Sequence, residues 1–114
     1  MMKYSNVEKE VEMELLNYHN TRTKLADRLR EHDLLELETK LNIEKRKKEY
    51  EEDGVKSTQA KYMAERDEEL NLKELIELDH EIQTLKGRKD YIEYRFTYLF
   101  RRLDYFDDIE VDDE

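Results

Sequence analysis

Apolar residues recur along the second half of the chain in steps of three and four without a slip: Leu75, Leu78, Ile82, Leu85, Lys89, Ile92, Phe96, Leu99, Leu103 and Phe106. Nine of these ten positions are apolar. That heptad spacing predicts a helix whose seam packs as a coiled coil. The first half is patterned differently. On a wheel of ~100° per residue, Val7, Val11, Tyr18, Leu25, Leu29, Ile43 and Tyr50 share one stripe. Leu16, Leu34, Leu37 and Leu41 fall on a second stripe, roughly opposite.

One strong breaker separates the halves, Asp53-Gly54, with Ser57 and Thr58 just beyond it. Glycine suits the left-handed position after a helix end, and Ser57 or Thr58 suits the next N-cap. The pattern therefore predicts a helix from about residue 6 to 52, a turn over 53–57 and a helix from about 58 to 106, each roughly 70 Å long. A weaker break falls near Asp67 to Asn71, where Asp67 can cap a fresh segment. Gly87 lies inside the second helix and softens it by ~1 kcal/mol relative to Ala.

A short link between two long helices favours an antiparallel hairpin. Such a hairpin buries one stripe per helix, and exposed apolar rows mark interfaces. The fold class expected is all-α: a long antiparallel helical hairpin with coiled-coil packing, oligomerising into a helical bundle. The interface expected draws on Leu16, Leu34, Leu37 and Leu41, and on the seam residues Leu75, Leu78, Ile82, Leu85, Ile92, Phe96, Leu99 and Leu103. A dimer forming a four-helix bundle is the simplest closed solution, and larger rings stay open.

Composition sharpens this by exclusion. The 114 residues include two Gly and no Pro, Cys or Trp. That is too little turn chemistry for a multi-strand sheet, and it leaves no phosphate-cradling glycine loop, disulfide framework or thiolate zinc site. No run of ~18 apolar residues exists to span a membrane. The N-terminus lacks the apolar stretch of a signal peptide, so the expected location is cytoplasmic, in the host cell if the gene is carried by a phage.

Charged residues make up 46% of the chain, for a net charge of −10. Residues 104–114 alone hold seven acids and no Lys or Arg, leaving 24 acids against 21 bases in residues 1–103. The body is thus charge-dense but nearly balanced, as long helices with solvated faces are.

Catalytic chemistry finds little to stand on. His19, His32 and His80 form no HxxxH or HExxH pair, and only His80 has a glutamate three positions earlier, Glu77. We expect no enzyme, no metal and no cofactor, with His32 a partly buried interface histidine.

Binding chemistry finds more. Tyr91, Tyr94, Tyr98 and Tyr105 share a stripe away from the heptad seam, flanked by Arg95, Arg101 and Arg102. Tyrosine rings stack on bases whatever the sequence, and guanidinium groups hold phosphates. In a hairpin the same arginines return beside Glu8, Glu10, Glu12 and Glu14, so packing is the competing reading. Arg22, Lys24, Arg28 and Arg30 on the first helix and Lys86, Arg88 and Lys89 on the second would merge into one basic belt. The nucleic-acid-binding set expected is Arg22, Lys24, Arg28, Lys86, Arg88, Tyr94, Tyr98 and Arg101. Lys45, Arg46, Lys47 and Lys48, with Lys56 and Lys61, make another cluster, open to dipole complementarity and i,i+4 pairing instead. Residues 107–114 are expected as a flexible acidic tail. Phe106, Asp107, Asp108 and Ile109 would offer a short apolar-acidic peptide to a partner, or the tail would be a solubilising end.

Glu44-Lys45-Arg46-Lys47-Lys48-Glu49-Tyr50, the turn at Gly54, Tyr62-Met63-Ala64 and the helix through Tyr91-Ile92 together resemble the recombination mediators of T-even phages, over roughly Thr21 to Phe106. The resemblance implies an oligomeric, single-stranded-DNA-binding accessory factor that loads a recombinase against a single-strand-binding protein. The net acidity and the acidic tail depart from that pattern. Three readings stay open: a non-enzymatic recombination or replication accessory protein; an acidic phage anti-defence inhibitor that mimics nucleic acid toward a host defence protein; and a purely structural coiled-coil scaffold.

Overall fold

The computed structural model describes the backbone of residues 4–112 and the side chains of residues 6–103. The described residues are all-α, with no strand. Helix α1 runs Tyr4–Glu52, α2 Ser57–Asp67 and α3 Glu69–Asp112.

The glycine turn forms as its sequence dictates. Gly54 adopts φ +93°. Its N–H bonds the Glu51 carbonyl at 3.0 Å, and the Val55 N–H bonds the Tyr50 carbonyl at 3.0 Å. This is the Schellman pattern that satisfies a helix's last carbonyls. The cap beyond it differs from expectation. The α2 N-cap is Lys56, without a side-chain capping bond, and Ser57 is already helical. The Lys56 carbonyl accepts the Ala60 N–H at 2.8 Å, so the backbone closes this turn unaided.

The expected second helix is divided in two at Glu68, within the weaker break the sequence offers. Glu68, not Asp67, caps α3: its carbonyl accepts the Leu72 N–H at 3.0 Å. Its side chain is buried and accepts bonds from Arg46 Nε at 3.2 Å and Asn71 Nδ2 at 2.8 Å. Asp67 instead accepts the Tyr50 hydroxyl bond. That bond holds the Tyr50 pKa above its ordinary value, because ionisation would set a phenolate beside a carboxylate.

The chain packs as two units. The first joins residues up to Leu25 with those from Thr84 onward. Its buried residues are Val7, Thr21, Leu25, Leu85, Ile92 and Leu99. The second spans residues 26–83 and buries Thr39, Ala60, Ala64, Glu68, Leu78 and Ile82. The α3 seam is therefore occupied inside the chain. Leu78, Ile82, Leu85, Ile92 and Leu99 are buried, and Leu75, Phe96 and Leu103 are half-buried.

The inward side of α1 is more polar than its leucines suggest. In the first unit its covered positions include Val7, Val11, Glu14, Tyr18, Thr21 and Leu25, in alternating steps of four and three, with Glu10 beside them. In the second unit Arg28, His32, Leu35, Thr39 and Asn42 continue that spacing. Leu16, Leu34, Leu37 and Leu41 face solvent, as the second stripe predicts, whereas Leu29 of the expected inward stripe is 37% exposed.

Gly54 and Gly87 make a matched test of local backbone physics. A Cβ meets nothing within 4 Å at either site, but only Gly54 has a positive φ. Gly54→Ala should lower stability by about 1–2 kcal/mol through left-handed strain. Gly87→Ala should raise it by about 1 kcal/mol through helix propensity. Urea melts followed by circular dichroism measure both.

Candidate nucleic-acid interface

In the first unit α3 presents an aromatic strip. Tyr91, Tyr94 and Tyr98 lie three and four residues apart, on a side of the helix away from Ile92, Phe96 and Leu99. All three rings are more than half exposed. The Arg102 guanidinium stands over the Tyr98 ring at 5.7 Å from its centroid, a cation–π geometry. Tyr105 lies outside the residues whose side chains are described.

Between this strip and the seam run Arg88, Arg95 and Arg102 at seven-residue spacing, which places them on one line along the helix. They have different fates. Arg95 is held inside the unit by Glu10 Oε2 at 3.6 Å and Glu14 Oε1 at 3.9 Å. Arg88 and Tyr91 instead line a surface recess with Asn17, Asn20 and Thr21 of α1. The packing reading thus accounts for Arg95; Arg88, whose recess Glu14 also lines, and Arg102 form no ion pair among the described residues.

Tyr18 organises the same unit. Its hydroxyl donates to Glu93 Oε1 at 3.0 Å, and its ring meets Phe96 edge-on, with centroids 5.6 Å apart. Arg22 lies over the other part of this cluster, 5.6 Å from the Tyr18 centroid. Arg22 is exposed, as are Lys24, Lys86, Arg88 and Arg101. None of these five has an ion-pair partner among the described residues. Tyr94 and Tyr98, also expected in the site, share the unit with them.

In the second unit several cations are paired within the chain, although Arg30, Lys45, Lys48 and Lys56 have no ion-pair partner among the described residues. Arg28 was expected to bind nucleic acid, but it bonds Glu81 Oε1 through Nε at 2.8 Å and Glu31 Oε1 through Nη1 at 3.0 Å. The hydrogen bond to Glu81, then the charges of Glu31 and Glu81, hold its pKa above the ordinary value. Lys47 and Lys61 pair with Glu51 and Glu65 four residues on, as the i,i+4 reading of the turn cluster expects, and Arg46 pairs with Glu68, 22 residues away. His32 is half-buried, its Nδ1 at 3.6 Å from both Asp33 Oδ1 and Glu36 Oε2. Lys40 Nζ already bonds Glu36 Oε1 at 2.7 Å, and this, ahead of the His32 charge, keeps the Glu36 pKa below its usual value.

Sequence reasoning missed Asn17 and Asn20 as neighbours of the strip, and it placed Arg102 beside the tyrosines without including it in the binding set. The seven-residue spacing of the three arginines was the signal available for Arg102. The side chains of Phe106, Asp107, Asp108 and Ile109, assigned to partner binding, lie outside the described residues. No protein family, curated protein or solved structure matches the chain.

Proposed function

We propose that this chain is a non-enzymatic nucleic-acid accessory protein that binds single-stranded DNA through the Tyr/Arg strip of its first unit and works as a self-associating helical hairpin. The observation that carries the reading is the company of the tyrosines. Three exposed rings are flanked by Arg88 and Arg101, and are joined in the same unit by Arg22, Lys24 and Lys86, all without ion-pair partners among the described residues. A single strand needs this combination: π faces for bases and free cations for phosphates. Such contacts are individually modest, and association of several copies multiplies them by avidity.

The hairpin is supported by the order of contacts. Rising along α1, Glu10, Tyr18, Arg28 and Arg46 meet Arg95, Glu93, Glu81 and Glu68 in falling order. The heptad spacing on both helices supports coiled-coil seams. The exposed Leu34, Leu37 and Leu41 support association of copies. A recombinase or a single-strand-binding protein is the partner class that fits an accessory factor of this kind.

Fluorescence anisotropy of a labelled oligonucleotide tests the reading. Binding at micromolar protein and low salt is expected, weakening steeply as salt rises. Tyr94→Ala with Tyr98→Ala should weaken it by about tenfold or more, from lost stacking. Arg88→Glu with Arg101→Glu should do the same and flatten the salt dependence. No binding at low salt would end the reading.

A further inference from the structure

The exposed leucines of α1 in the second unit continue into a charge pattern that specifies their occupant. Along one stripe, at alternating steps of three and four, run Asp27, Arg30, Leu34, Leu37, Leu41, Glu44 and Lys48. Successive members stay on one narrow face of the helix, within an arc of ~100°. The three leucines are each more than half exposed. None of the four flanking charges has an ion-pair partner among the described residues, although Arg28, Lys40, Arg46 and Lys47 nearby all do.

The stripe is complementary to its own reverse. Pair it with a second copy running the other way about a two-fold axis at Leu37, and Leu34 meets Leu41, Arg30 meets Glu44 and Asp27 meets Lys48. Pair two copies in the same direction and each charge meets itself, which is repulsive. A closed two-fold interface requires this self-complementarity. Lys45, on the margin of the stripe, would lie near Glu31, again an opposite charge.

We infer that Leu34, Leu37 and Leu41 are covered by the same stripe of a second copy, antiparallel, with Arg30–Glu44 and Asp27–Lys48 pairs closing each end. This rests on the proposal that copies associate and names the surface and its direction. It separates assembly, on α1 of the second unit, from the Tyr/Arg strip on α3 of the first.

The chain has no cysteine, so single cysteines report direction without background. A mixture of Asp27→Cys and Lys48→Cys chains, treated with a short cysteine-specific crosslinker, should give a crosslinked dimer, and neither variant alone should. Leu37→Asp should shift the mass by light scattering to that of one chain, with helical content unchanged because the site is exposed. Arg30→Glu should weaken association by about tenfold, and Glu44→Arg added to it should restore it. Crosslinking of Asp27→Cys with itself would overturn the antiparallel direction. A dimer mass without the mixed crosslink, surviving Leu37→Asp, would place the interface elsewhere while leaving association intact. A single-chain mass for the unmodified protein at high concentration would remove both.

Discussion

Ile82→Asp should abolish the cooperative thermal transition, whereas Ile76→Asp, six residues earlier on the same helix, should leave it nearly unmoved. Ile82 is 3% exposed and Ile76 60%. Both substitutions remove the same side chain and add the same carboxylate, so the difference isolates burial. At Ile82 the lost aliphatic contacts are worth about 2–5 kcal/mol. The new carboxylate is then buried in the seam, which adds several kcal/mol or forces protonation. Total stability for a domain of this size is about 5–15 kcal/mol, so one such change removes most of it. Among the described residues the buried apolar set is short, Val7, Leu25, Ala60, Ala64, Leu78, Ile82, Leu85, Ile92 and Leu99, and leaves little in reserve. At Ile76 an exposed substitution stays within about 0.5 kcal/mol. Circular dichroism during heating measures both, and matching melts for the two variants would contradict the assignment of the seam to the interior.

Thr39→Val should act in the opposite direction. Thr39 is 1% exposed, and its Oγ1 has no hydrogen-bond partner. A hydroxyl taken out of water without a partner costs about 1–3 kcal/mol. Valine keeps the β-branched shape and removes the stranded group, so the packing needs no rearrangement. The expected gain is about 1–2 kcal/mol in a urea melt. A loss of stability would mean that the hydroxyl is bonded in solution. Natural sequences keep such costs where they serve specificity, and polar positions in a seam limit the registers two helices can adopt.

How far the fold was legible differs between the two long helices. On α3 the buried residues are the apolar ones, so the steps from Leu75 to Leu103 located both the helix and its inward face. The turn was equally plain, because Gly54 is the residue that tolerates the left-handed position. The inward face of α1 was obscured by its chemistry. Thr21, Arg28, Thr39 and Asn42 point where hydrophobic residues are expected, and Leu34, Leu37 and Leu41 point away. Apolar periodicity reports burial only when burial is apolar. The unbroken heptad step through polar positions was the better guide, and it becomes visible once Val7, Tyr18 and Leu25 are taken as anchors.

The candidate interface was partly legible for a related reason. The tyrosine stripe follows from spacing alone. Which arginines stay free depends on carboxylates more than 50 residues away, as Arg28 with Glu81 and Arg95 with Glu10 show. Charge counts along a sequence do not reveal such pairings.

Sedimentation velocity with a fluorescently labelled oligonucleotide, followed at the label's wavelength, addresses strand binding and association together. At low salt and micromolar protein the label should move with a complex holding at least two chains, and raising the salt should return it to the free strand while the protein boundary stays multimeric. A label that sediments as free strand at every protein concentration, beside protein that sediments as one chain, would contradict the proposal.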